Sequence, residues 1–323
     1  MKKAFITGIT GQDGSYLAEH LLDLGYSVYG ITRRNSVVEN QQSRIDPIKH
    51  KLHVYYGDLL DPVGLAKILK EVKPDEIYNL AAQSHVRISF DIPDFTLKTN
   101  GLAVLNLLDI VRENHKDSKF YQACSSEMFG SSVDDDGYQR ETTKMTPVSP
   151  YGCSKVLAYN LMRNYRDSYN LHLTNGILFN HESPRRGSNF VTSKVIKTAC
   201  EIKLGLKNKL VMGNLESYRD WGHSKDYVKA MHLICNHDKA DDFVVATGET
   251  RSIRNLCEVV FSSLDLDYRD YVEIDKAYFR PQELKYLKGD NSKFSKTFKW
   301  QREYSFDSMM QEMINFWMKE LSK

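Results

Sequence analysis

The sequence predicts an α/β protein built on a doubly wound parallel sheet, with a smaller, partly helical C-terminal domain. Three observations predict it. A short apolar run, residues 4–6, enters the glycine-rich turn Thr7-Gly8-Ile9-Thr10-Gly11-Gln12-Asp13-Gly14 and leaves it with helical spacing. Strand-like runs then alternate with helical patterns as far as residue 178, the order that gives parallel strands joined by crossover helices. The residues with chemistry to offer fall at the C-terminal ends of those runs, where such sheets bind their ligands.

Taken in order, Ala4-Phe5-Ile6 is the first strand, and Leu17, Leu21 and Leu22 give the next helix an apolar face that stops near Gly25. Ser27 to Ile31 makes a second strand and completes a β-α-β unit of about 30 residues. In that setting glycines let the backbone approach a pyrophosphate, and the helix start offers unbonded N–H groups and the positive end of its dipole. Gly8, Thr10, Gly11, Gln12, Asp13 and Gly14 are therefore candidate cofactor contacts in a Rossmann domain. The next residues, Thr32-Arg33-Arg34-Asn35-Ser36, lack the acidic side chain that takes the ribose hydroxyls of NAD. Arg33 and Arg34, with Asn35 and the Ser36 hydroxyl, suit a 2′-phosphate instead, so the expected cofactor is NADP.

Leu52 to Tyr56 is the third strand, ending at Asp58 and Leu59, where Asp58 either accepts from an adenine amino group or caps a turn. Lys73-Pro74-Asp75 precedes the strand Glu76 to Leu80, and the small residues Ala81, Ala82 and Ser84 after Leu80 let a cofactor lie against the backbone. Asn100 to Val111 is helical in period, and the strand Lys119 to Ala123 delivers Ser125 and Glu127. Asp134-Asp135-Asp136-Gly137 reads as a solvated loop. Asn175 to Leu178 and Phe243 to Gly248 read as further strands, so the chain leaves the sheet and returns to it. The expected organisation is a dinucleotide-binding domain over 1–180, revisited at about 215–250, and an interleaved substrate domain over 181–323. A final helix from Phe306 to Lys319, capped by Ser305, carries Met309, Met310, Met313, Ile314 and Trp317 as a core stripe.

With 323 residues the chain can bury a sizeable core, and a formal charge of +2 calls for neither nucleic acid nor an anionic membrane. Five cysteines, odd in number and without CxxC or zinc spacing, fit a reducing compartment and read as small core residues; no metal site is expected. The apolar run after the basic start is too short for a signal peptide, and no stretch approaches a membrane span of about 20 apolar residues. The expectation is a cytoplasmic protein.

The chemistry concentrates between Ser125 and Lys155. If Tyr151 opens a helix, Lys155 lies on the same face four residues on. A free tyrosine titrates at about 10, and a nearby ammonium lowers that by roughly 1–3 units, with an oxidised nicotinamide adding to the effect. Ser125 can bond the same substrate hydroxyl, and Lys155 can also hold the nicotinamide ribose.

The motifs Thr7 to Gly14, Ser125 and Tyr151 to Lys155 resemble the extended short-chain dehydrogenase/reductase family across essentially the whole chain. Asn180-His181-Glu182-Ser183-Pro184-Arg185-Arg186-Gly187, Arg219-Asp220-Trp221-Gly222-His223 and Arg280-Pro281-Gln282-Glu283, with Arg33-Arg34 and Ser125-Ser126-Glu127, narrow the resemblance to the GDP-mannose 4,6-dehydratases. It implies a hydro-lyase that takes GDP-mannose to GDP-4-keto-6-deoxy-mannose. Carbon 4 is oxidised with Tyr151 taking the hydroxyl proton, Glu127 removes the hydrogen on carbon 5, water leaves from carbon 6, and the hydride returns there with NADP regenerated. The resemblance also places Arg219 and Arg280 near the diphosphate, Glu283 near the ribose and Lys194 near guanine. His181 and Arg186 go to the cofactor, with Asn180, Glu182 and Ser84 among the substrate contacts. It implies a homo-oligomer, a tetramer before a dimer, because the long polar loop 35–46 meets a neighbouring subunit there. Two departures stand out: Ser125 replaces the usual threonine, losing a methyl that restricts rotation, and Phe129 replaces a tyrosine.

Rival readings share these features. Sister epimerases need no carboxylate at Glu127, and sister thymidine-linked dehydratases have an Asp–Glu pair at Ser126-Glu127. An NADPH-dependent reductase of the 4-keto sugar uses the same groups. A non-catalytic NADP-binding interaction protein would have no need of Ser125, Glu127, Tyr151 and Lys155 together.

Overall fold

The computed structural model of the chain describes residues 1–34, 43–279 and 282–323. At its centre lies a seven-stranded parallel sheet of β1 (Lys3–Thr7), β2 (Ser27–Thr32), β3 (His53–Tyr56), β4 (Glu76–Asn79), β5 (Lys119–Ser125), β6 (Leu173–Leu178) and β7 (Asp242–Val245). Its spatial order is β7-β6-β5-β4-β1-β2-β3. β1 pairs with β2 on one side, Thr7 opposite Ile31, and with β4 on the other, Thr7 opposite Asn79. The strand order reverses at β1, which opens a crevice beyond the C-terminal strand ends.

Burial on both faces explains the continuous apolar runs. Helices α1 (Gln12–Asp23) and α6 (Ser224–Asn236) cover one face, packing Leu17 and Leu21 with Val228, Met231 and Ile234. The other face is covered by α2 (Pro62–Val72), α3 (Ala103–Asn114) and α4 (Pro150–Tyr169), through Leu65, Leu69, Leu107, Leu108, Ala158 and Met162. A separate core joins α5 (Val191–Lys203), α7 (Ile253–Ser262) and α8 (Phe306–Leu321), and the methionines at 309, 310 and 313 are buried in it. Ser305 caps α8 in a reciprocal pair with Ser308. The edge strand β7 is blunted by side chains: Val244 N–H donates to Glu141 Oε1 at 2.7 Å, and Lys293 Nζ donates to the Asp242 carbonyl at 2.7 Å.

The structure refines four local expectations, correcting three of them. The helix expected from Asn100 opens as a π-turn over Lys98–Leu102 before α3 begins at Ala103. The loop at 134–137 is exposed at Asp135 and Asp136 as expected, with the added feature that Arg140 pairs with Asp134 at 3.0 Å and with Asp136 at 2.6 Å. Cys153 is exposed on α4 while the other four cysteines are buried. β7 ends at Val245, since Gly248 takes a positive φ of 77° in the turn that follows. Among the described residues no helix is long and apolar enough to cross a membrane.

Candidate active site

One cleft of about 1110 Å³ runs along the strand ends. Its floor is the turn between β1 and α1. Gly8 has φ +71°, and a Cβ there would stand 2.9 Å from the Ala81 backbone; one on Gly14 would stand 2.2 Å from the Gly8 carbonyl oxygen. Those two glycines are required by the chain's own packing. Gly11 is different, since a Cβ there would meet only the Gly8 carbonyl, at 3.1 Å. Its missing side chain leaves room on the cleft side at the helix start. The first intrahelical bond runs from Ser15 N–H to the Gly11 carbonyl, so the N–H groups of Gln12, Asp13 and Gly14 precede it. An open cradle facing unbonded donors fits the diphosphate of a dinucleotide.

Gln12 and Asp13 are tied across the cleft to the strand Asn180–Glu182. Gln12 Nε2 donates to the His181 carbonyl at 3.2 Å, and Ser183 Oγ donates to Gln12 Oε1 at 2.8 Å. His181 lies 2.8 Å by Nε2 from Asp13 Oδ2 and 2.7 Å by Nδ1 from the Phe179 carbonyl. A carbonyl and a carboxylate can only accept, so both ring nitrogens carry protons and His181 is an imidazolium. Burial opposes that charge, but Asp13's charge and hydrogen bond overcome it, and the His181 value lies above normal. Asp13 mirrors this: burial raises it, yet His181, Arg186 and Gln12 together hold its carboxyl below the usual value.

Arg33, Asp58, Leu59, Leu80, Ala81, Ala82 and Ser84 line the adjoining wall. Asp58 serves its turn, Oδ1 accepting from Leu60 N–H at 2.9 Å. Arg34, next to Arg33, is exposed. Asn35, Ser36 and Arg280 lie outside the described residues.

The reacting groups gather where β5 meets α4. Ser149 caps α4, accepting from Gly152 N–H at 3.0 Å, and Pro150 occupies the first turn, so Tyr151 enters at the helix start. Ser125 Oγ accepts from Glu127 N–H at 3.2 Å. Ser125, Glu127, Tyr151 and Lys155 are all less than one-tenth exposed, yet all line the cleft. The expected effect of Lys155 on Tyr151 is not what the structure gives. Lys155 Nζ donates to the Ala123 carbonyl at 2.8 Å and stands 5.9 Å from the Tyr151 ring centre. Burial pushes the phenol up to about 12, opposed by Ser125's hydrogen bond and Arg186's charge and reinforced by Glu127. Burial also lowers Lys155.

Along the opposite wall, Lys194 donates to the Val211 carbonyl at 2.7 Å and sits 4.4 Å from the Tyr278 ring centre. Arg219 NH1 donates to the carbonyls of Tyr218 and Leu284, at 2.8 and 2.9 Å, and so fixes the segment that carries Glu283. Asn180 and Glu283 also line this wall. Glu182, expected at the substrate, is 1% exposed and accepts from Thr192 Oγ1 at 2.6 Å, with Arg186 Nε 3.0 Å away. Its Oε2 thus ties Thr192 and Arg186 together at the cleft.

A family model described as GDP-mannose 4,6 dehydratase matches residues 5–313. The chain belongs to the GDP-mannose 4,6-dehydratase family. It is 47% identical to GDP-mannose 4,6 dehydratase 1 of Arabidopsis thaliana, over 97% of this chain and 89% of that one. It is 45% identical to the GDP-mannose 4,6 dehydratase of Homo sapiens, over 97% and 90%. In three dimensions, dTDP-glucose 4,6-dehydratase of Bacillus anthracis, solved in complex with NAD, matches with a TM-score of 0.84 over 100% of this chain and 98% of its own. At 20% identity that likeness bears on the fold alone.

Sequence reading missed several residues of this family member. Asn100, 2% exposed, accepts from Gln83 N–H and donates to the Gln83 carbonyl, both at 2.9 Å, and donates to Ser154 Oγ at 3.2 Å. It thereby joins the cofactor wall to the helix of Tyr151, and the π-turn around it is a widening often found at functional sites. A buried asparagine in an otherwise apolar helical period was the available signal. Arg44 carries none: its Nε donates to the Arg185 carbonyl at 2.8 Å, holding the 183–187 segment over the turn.

Proposed function

We infer that the protein converts GDP-mannose to GDP-4-keto-6-deoxy-mannose, a hydro-lyase reaction with internal oxidation and reduction and NADP as the cofactor. The observation that carries it is one carboxylate, Glu127, set beside a Tyr151–Ser125 proton site in the cleft that also holds a diphosphate cradle. NADP+ in that cleft supplies a reversible hydride store, filled from carbon 4 and emptied onto carbon 6 within one turnover. The N–H groups at the start of α1 would hold its diphosphate, Arg33 its 2′-phosphate and Lys155 its nicotinamide ribose.

Tyr151 takes the proton of the carbon 4 hydroxyl while Ser125 bonds the same oxygen. The ketone formed there acidifies the hydrogen on carbon 5. Glu127 removes that proton and passes it to the carbon 6 hydroxyl, which departs as water. Tyr151 then returns its proton to carbon 5. Lys194, Arg219, Arg280 and Glu283, from residues 181–323, take the nucleotide part of the substrate, while 1–180 takes the cofactor. Four buried free cysteines support the cytoplasm as its location. The assembly follows the resemblance, a homotetramer before a dimer. The reductase reading gains no support from relatives that are dehydratases by name.

Incubated with GDP-mannose and NADP+, the protein is expected to give a product lighter by one water with no net NADPH. Unchanged substrate in the mass spectrum overturns the assignment. For the cofactor, Arg33→Ala is expected to weaken NADP+ binding by about 10- to 100-fold while leaving NAD+ nearly unaffected, the range of one lost charge-assisted hydrogen bond. An unchanged ratio of the two dissociation constants would move the 2′-phosphate site away from Arg33.

A further inference from the structure

Asp13 is an odd residue for its place. It stands in the first turn of α1, beside the N–H groups that would receive a doubly anionic diphosphate, and its side chain lines the same cleft. A carboxylate there repels the ligand that the helix start attracts. Both of its oxygens are engaged: Oδ1 accepts from Gln12 Nε2 at 3.1 Å, and Oδ2 takes the His181 Nε2–H at 2.8 Å. His181 is held to this task from three sides. Its Nδ1–H is fixed on the Phe179 carbonyl, its ring stacks on Tyr227 at 4.6 Å between centres, and Gln12 bonds its backbone carbonyl. With both ring protons committed, the His181 ring has no N–H left to offer a cofactor directly. Next outward, Arg186 adds a weaker pull on the Asp13 carboxyl than His181 does, and is itself paired with Glu182 at 3.0 Å.

We propose that His181 acts as a positioning residue whose imidazolium cancels the Asp13 carboxylate at the diphosphate turn, so that its ring sets dinucleotide affinity through Asp13 rather than through a ring N–H of its own. The inference rests on the reading that a nicotinamide dinucleotide occupies the cleft. Its signature is a reversal that a purely structural tie does not produce. Removing His181 uncovers a negative charge, and removing Asp13 as well takes that charge away again.

The test is a double-mutant cycle on NADP+ affinity, measured by calorimetric titration of the cofactor-free protein. His181→Ala is expected to weaken binding about 100-fold, the scale of one uncompensated charge several ångströms from a diphosphate at partial burial. Asp13→Asn alone is expected to bind at least as tightly as the natural protein. The pair Asp13→Asn with His181→Ala is expected to recover at least about tenfold over His181→Ala, and the His181→Ala deficit shrinks as salt is raised. A double variant as weak as His181→Ala, or weaker, overturns the proposal and leaves the pair a structural tie. If His181→Ala melts out at the working temperature, His181→Gln keeps a donor without the charge and gives the same comparison. Failure of the natural protein to bind either NADP+ or NAD+ would instead sink the dinucleotide reading itself.

Discussion

Glu127→Gln should stop turnover after its first half. Mixed with GDP-mannose and NADP+, the variant is expected to build up one bound NADPH per site, seen in the near-ultraviolet, while the sugar nucleotide loses no water. The reason lies in what the substitution keeps. Glutamine has the volume and hydrogen-bonding reach of glutamate, and Glu127's place is set by its backbone N–H on Ser125 Oγ, which the change does not touch. Tyr151 and Ser125 are left as they were, so oxidation at carbon 4 proceeds. Lost are the base for carbon 5 and the acid for the departing hydroxyl, one group serving both steps, each worth about 10²- to 10⁴-fold in rate. Full turnover by the variant would remove Glu127 from the mechanism and require another base for carbon 5.

That so much of this site could be read from the chain follows from how local its signals are. The β1–α1 turn announces itself in eight consecutive residues, because Gly8 and Gly14 answer to contacts within the turn and with the adjacent strand end. Tyr151 and Lys155 sit one helical turn apart, and the strand ends are fixed by apolar runs that a doubly covered sheet requires. The misses are contacts made over long separations. Asp13 and His181 are 168 residues apart, and nothing in either motif says that they pair. Glu182 lies in a family string, but its burial against Thr192 and Arg186 depends on how the segment before α5 folds back. Asn100 links residues 17 before it and 54 after it, so its importance emerges only once α3, α4 and the end of β4 are packed together. Lys155 shows the same limit on a smaller scale: the spacing set it on Tyr151's face, while the Ala123 carbonyl decided where its ammonium rests.

Tyr151→Phe is expected to act one step earlier and as severely. Placed in the Glu127→Gln background, it should abolish the bound NADPH that Glu127→Gln alone accumulates, with a loss of about 10³-fold in the oxidation rate. The free molecule shows why this residue also governs the pH response. Burial holds the phenol up near 12, and Lys155, engaged with the Ala123 carbonyl 32 residues away in sequence, does not offset it. The base is therefore protonated at neutral pH until positive charge arrives with the oxidised cofactor, which the buried setting makes effective. Because the deprotonated phenol is the active form, the oxidation rate in Glu127→Gln should rise with pH and level off above an apparent value well below 12. Lys155→Met should leave that plateau in place, since its ammonium is held on the Ala123 carbonyl. A plateau that moves to higher pH would return Lys155 to tuning the phenol, and NADPH formation by the phenylalanine variant at the parent rate would take the proton at carbon 4 away from Tyr151 altogether.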